Sequence, residues 1–147
     1  MQVTPQPTCT TETVAAAAVN AAFQQTNICA IVALSTSGTS ARWVSKYRPR
    51  CPVIVVTRSD RTARAVTLHR GVVAAHYQQP PCVDDSQWQA DVDARLAFGV
   101  RRAVELGLVS ADAAASNQNV VLIQGWGRGS GKTNALRIVA AADILKQ

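Results

Sequence analysis

Four short apolar runs separated by stretches of helical character constrain this chain more than any other feature. Ile28–Leu34, Val53–Thr57, Val72–Tyr77 and Val120–Gln124 have strand length, and turn residues bound them. Val53-Ile54-Val55-Val56 has no polar position, so its strand belongs at the centre of a sheet covered on both faces. The first helix is predicted from Thr10 or Thr11, with a hydroxyl cap, Glu12 in its first turn, and Ala15, Val19, Ala22 and Phe23 at helical spacing. A short helix over about Ala41–Tyr47 stops before Pro49. Another runs from a Ser59-Asp60 cap to His69 or Arg70, where Gly71 ends it. A long helix opening at Asp84-Asp85 aligns Trp88, Val92, Leu96, Val100 and Ala103/Val104 on one stripe. Strands alternating with helices predict an α/β fold with a largely parallel sheet. Asn134–Ala140 fits a fifth strand or a helix equally well.

A chain of 147 residues, 48% of them hydrophobic, has the size and apolar content for one core. Residues 1–9 read as a flexible tail and 10–147 as the domain. The net charge of +6 favours anionic partners, yet the basic residues are dispersed and few aromatics interleave them, which argues against nucleic acid. No apolar run is long enough to span a membrane. Cys9, Cys29, Cys51 and Cys82 lie far apart, with no C-x-x-C and no paired histidines, which fits a reduced cytoplasm and no metal site.

Two separated segments carry the chemistry. Ser35-Thr36-Ser37-Gly38-Thr39-Ser40 is a hydroxyl-rich turn between a strand and a helix, where free N–H groups and a positive dipole end attract phosphate. Gly125-Trp126-Gly127-Arg128-Gly129-Ser130-Gly131-Lys132-Thr133 adds glycines for close backbone approach and two cations. Gly131-Lys132-Thr133 is not a P-loop, because Trp126 stands where that motif needs its first glycine. Only about a dozen residues follow Thr133, so a later strand to carry the magnesium-holding acid is not expected. Among the acids only Asp84/Asp85 and Asp91/Asp93 are close pairs, and both fit a helix start or surface, so no catalytic cluster emerges. Read by themselves, Ser35–Ser40 is equally a capped turn, Trp88 a core aromatic and Arg95 a snorkelling side chain. Trp88 and Arg95, two helical turns apart, share nearly one face, and an inward arginine there needs an anionic partner.

Thr11-Glu12-Thr13-Val14-Ala15, Ser35–Arg42, Lys46-Tyr47-Arg48-Pro49, Cys51-Pro52-Val53-Ile54, Val56-Thr57-Arg58, Leu68-His69-Arg70-Gly71, Asp91-Val92-Asp93-Ala94-Arg95 and Gly125–Asn134 together resemble the C-terminal, regulatory domain of pyruvate kinase. The resemblance covers the chain from about Thr10 to Val139. It implies a three-layer, mixed but mostly parallel five-stranded sheet with helices on both faces, ending in a strand. It also implies binding of a sugar bisphosphate, typically fructose 1,6-bisphosphate, as allosteric activator. Ser35, Thr36, Ser37, Gly38, Thr39 and Ser40 would hold one phosphate, Trp88 and Arg95 the other, and Gly125 to Thr133 would close over the sugar. Thr36 and Thr39 stand where animal-type loops often carry Lys and Arg, a pattern more like the fungal type, and Lys132 adds a charge nearby. In the full enzyme a barrel domain would hold magnesium and potassium and transfer phosphoryl from phosphoenolpyruvate to ADP. No cofactor and no catalysis are expected of this chain alone. A homodimer through this domain, and a tetramer in the full enzyme, are the expected assemblies. The alternative is an oligomerisation or interaction module of the same fold that has lost its effector.

Overall fold

Strand β1 (Ile28–Leu34) is the pivot of the sheet, because six of its seven residues are buried and it has a neighbour on each side. In the computed structural model, which describes residues 7–112, 117–125 and 132–146, the strand order is β3-β2-β1-β4-β5. Here β2 is Val53–Thr57, β3 Val72–His76, β4 Asn119–Gly125 and β5 Thr133–Ala140. The first four strands are parallel and β5 runs antiparallel to β4, with Val121 opposite Ile138. The expected mixed, mostly parallel five-stranded sheet is therefore observed.

The ambiguity at the end of the chain resolves into both alternatives in succession. Thr133–Ala140 is a strand because β4 supplies its hydrogen-bond partners, and the alanines that follow form helix α5, Ala141–Leu145. The earlier helices are α1 (Thr10–Gln24), α2 (Thr39–Lys46), α3 (Asp60–Val66) and α4 (Trp88–Glu105). Helices α1, α2 and α3 cover the face presenting Ile31, Ala33, Val53, Val55 and Val121. Helices α4 and α5 cover the face presenting Val32, Ile54, Val56 and Leu122. Alternate residues of each inner strand thus feed opposite cores, the reason Val53–Val56 lacks a polar position.

Local details correct several expected boundaries. Cys9 takes the cap position of α1 without a side-chain bond, so neither Thr10 nor Thr11 is its cap. Helix α2 starts two residues before Ala41, directly after Gly38 in the left-handed conformation (φ 87°). Ser59 caps α3 as expected, accepting from Thr62 N–H at 3.1 Å, but the helix ends at Val66 rather than His69 or Arg70. The residues between fold into turns closed by bonds such as His69 N–H to Val66 C=O. Asp84 caps a 3₁₀ turn over Asp85–Gln87, and only then does α4 begin.

Glu12 does more than mark a helix start. Its carboxylate is buried between α1 and α2, where it accepts from Lys46 Nζ at 2.7 Å and Tyr47 OH at 2.9 Å. The Lys46 bond holds the Glu12 carboxyl below its ordinary range. A carboxyl depressed on folding contributes stability above its unfolded pKa, and that stability is lost as pH falls through the folded value. Glu12→Gln is therefore expected to lower the thermal midpoint at pH 7 and to flatten its decline below about pH 4.5. Melting curves from pH 3 to 7 check this, and parallel acid limbs in the two proteins would remove Glu12 from the account.

Candidate functional site

Strands β1 and β4 are neighbours, yet their outgoing connections diverge. The chain leaves β1 for α2 and β2 on one side, and leaves β4 for β5 on the other. A crevice opens at such a divergence, beyond the carboxyl ends of the strands. Here it is a cleft of about 510 Å³, walled by the turns after β1 and β2, the start of α4 and the two ends of the β4–β5 hairpin.

The turn after β1 holds its shape through its own hydroxyls. Ser35 Oγ accepts from Gly38 N–H at 2.9 Å, and the Ser37 and Thr39 hydroxyls lie 2.9 Å apart. From α3, the Thr62 hydroxyl donates to Thr36 C=O at 2.9 Å. Gly38 is required twice over: its φ is positive, and a Cβ there would lie 3.0 Å from Val66 Cγ1. Ser35, Thr36, Ser37, Thr39 and Ser40 line the cleft, whereas Gly38 is buried toward α3 and shapes the turn from behind.

The two expected halves of the cradle meet. Ser40 and Thr133 hydroxyls lie 2.7 Å apart, both residues are buried, and 93 positions separate them. Gly125 and the exposed Lys132 also line the cleft. A Cβ on Gly125 would sit 2.5 Å from the Lys132 carbonyl oxygen, so hairpin closure accounts for this glycine. Trp126, Gly127, Arg128, Gly129, Ser130 and Gly131 lie outside the described residues.

Helix α4 brings Trp88 and Arg95 to the same wall, as their spacing predicts. It also brings Asp91, and this corrects the reading of Asp91 as a surface acid: its side chain is only 14% exposed. Arg95 Nε lies 3.2 Å from Asp91 Oδ2 without hydrogen-bond alignment, so the inward arginine has a carboxylate neighbour within the protein. Burial pulls the Arg95 guanidinium below its ordinary pKa and the Asp91 charge opposes that shift. Asp93 behaves closer to expectation, half-exposed and bonded to Gln89 and Arg137.

Sequence reasoning missed Arg58. It follows β2 as Ser35 follows β1, and in a parallel sheet successive strand ends come to one rim, which was the available signal. Arg58 forks onto Asp91 (NH1–Oδ2 3.1 Å, NH2–Oδ1 2.5 Å), donates to Gln79 and Pro80 carbonyls, and stacks on Tyr77. The cleft thus brings a hydroxyl-rich turn together with Arg58, Arg95 and Lys132, with one carboxylate in contact with the two arginines. That arrangement suits a ligand with separated anionic groups. Neither histidine lines it, and no group of three or more His, Cys, Asp or Glu side chains gathers to hold a metal among the described residues. Within the same residues no helix is long and apolar enough to cross a membrane.

Comparison with known proteins adds to this geometry. The profile of the family described as "Pyruvate kinase, alpha/beta domain" matches residues 12–139. The pyruvate kinase of Agaricus bisporus is 48% identical over 134 residues, 91% of this chain and 24% of the relative. That of Candida albicans is 49% identical over 136 residues, 92% of this chain and 25% of the relative. Pyruvate kinase 1 of Saccharomyces cerevisiae is 47% identical over 135 residues, again 92% and 25%. The chain spans about a quarter of the length of these relatives.

Proposed function

We propose, because this chain belongs to the pyruvate kinase alpha/beta domain family, that it is a regulatory domain whose cleft takes a sugar bisphosphate such as fructose 1,6-bisphosphate. The observation that carries this reading is that the Ser35–Ser40 turn and Arg95 line one cleft. The turn offers hydroxyls and the first N–H groups of α2, a helix with no acidic residue in its first turn. The Arg95 guanidinium has no hydrogen bond from its Nε and is only 18% exposed, so its charge acts at low screening. Two phosphates on one sugar would use both poles. The remaining residues of the Gly125–Thr133 segment would then close the ligand in, with Lys132 at its edge.

In a longer protein this binding would bias a catalytic barrel that transfers phosphoryl between phosphoenolpyruvate and ADP in glycolysis. Magnesium and potassium would belong to that barrel, and the setting would be the cytoplasm. Such a ligand activates only by preferring one conformation over another. A homodimer through this domain is part of the reading. It is supported by the place of β5 at the edge of the sheet beside α1, where among the described residues Phe23 and Ile138 remain 54% and 39% exposed.

Titration with fructose 1,6-bisphosphate, followed by tryptophan fluorescence, tests the assignment. Trp88 lines the cleft and Trp126 belongs to the segment expected to close it. A saturable change, absent with fructose 6-phosphate, is expected. No change in fluorescence and no calorimetric heat would leave the alternative, an interaction module of the same fold. Light scattering with and without ligand then reads the assembly state.

A further inference from the structure

Two arginines facing one cleft repel each other, and here a single carboxylate stands between them. Asp91 uses both oxygens on Arg58 and reaches Arg95 with one of them. The three side chains are 14%, 22% and 18% exposed for Asp91, Arg58 and Arg95, so their mutual interactions are weakly screened. The donors divide unequally. Arg58 gives its Nε to Gln79, its NH2 to Pro80 and Asp91, and its NH1 to Asp91, leaving one N–H of five. Among the described residues, Asp91 is the one ion-pair partner of Arg95, and Arg95 lines the cleft.

We infer that Asp91 is a positioning residue for anion recognition: it locks Arg58 into the rim of the cleft and steadies Arg95 so that its planar fork faces the ligand. This rests on the bisphosphate reading for its ligand, but not for its geometry. Simple charge counting says that removing a carboxylate from an anion site tightens binding. Loss of the lock says the reverse, because Arg95 then carries its full rotamer freedom and a mobile like-charged neighbour into the binding step.

The experiment compares the 147-residue chain with Asp91→Asn, Asp91→Glu and Arg58→Gln, each checked for folding by circular dichroism. Calorimetric titration with fructose 1,6-bisphosphate is expected to weaken at least about tenfold in D91N. D91E, which restores a carboxylate, should recover part of that loss. Equal or tighter binding in D91N overturns the inference, as does D91E no better than D91N. A ligand-independent reading keeps the two proposals separable. Phenylglyoxal, which modifies arginine, should label Arg58 several-fold faster in D91N than in the wild-type chain, scored by mass spectrometry. An unchanged rate overturns the lock even where the bisphosphate binds. A faster rate supports it even where the wild-type chain ignores the bisphosphate. Should D91N not fold, R58Q reads the pair from the other side. Asp91 freed from Arg58 should embrace Arg95 and slow its labelling, and an unchanged or faster rate overturns the inference.

Discussion

Arg95→Ala is expected to weaken the proposed binding of fructose 1,6-bisphosphate roughly ten- to a hundredfold, the equivalent of a charge-assisted hydrogen bond of about 1.5–3 kcal/mol. The side chain is four-fifths buried, touches one carboxylate, and opens onto the cleft. Removing it does not strand that carboxylate, because the Arg58 fork still engages both Asp91 oxygens. The thermal midpoint should therefore move little while affinity falls. That separation distinguishes a recognition residue from a buried ion-pair partner, whose loss is strongly destabilising. Arg95→Lys should fall between wild type and alanine, since a point charge replaces a planar fork. Calorimetry beside a melting curve measures both quantities, and unchanged binding in Arg95→Ala removes this residue from the site.

The largest expected effect on stability comes from a residue with no side chain. Gly99 lies on the inner face of α4, and a Cβ there would sit 2.5 Å from Val32 Cγ1 and 2.8 Å from Val56 Cγ2. Both valines are fully buried in β1 and β2, so neither can swing aside. Alanine would bring about 1 kcal/mol of helix propensity against that clash. Valine brings less propensity and two further methyl groups. Gly99→Val is expected to destabilise the fold by about 3 kcal/mol, a lowering of the melting midpoint by about 6–12 °C. Because α4 also carries Trp88, Asp91 and Arg95, the displaced helix should weaken the proposed bisphosphate binding as well. A midpoint within about 2 °C of wild type would mean that α4 does not press on β1 and β2 at this point.

The legible part of this protein was whatever repeats along the chain with a local period. Ile28–Leu34 and Val53–Thr57 occupy their expected strands residue for residue, since unbroken apolar runs of that length have few other destinations. The hydroxyl turn was legible because Ser and Thr satisfy backbone N–H groups within three residues, and Ser35 does so for Gly38. Trp88 and Arg95 reached one wall because helical spacing alone puts them there.

What remained hidden depends on partners remote in the chain. Whether Asn134–Ala140 is a strand was decided by β4, whose backbone groups pair with it, and local propensity carries no trace of that pairing. Asp91 looked like a helix-surface acid because its neighbour in space, Arg58, lies 33 positions away. The bond between Ser40 and Thr133 spans 93 positions. Hydrophobic periodicity determines which face of each element turns inward, and with it the layers and the sheet. The direction of a charged side chain follows instead from where other charges stand after the layers have packed, because low screening inside the cleft makes the distant partner dominate.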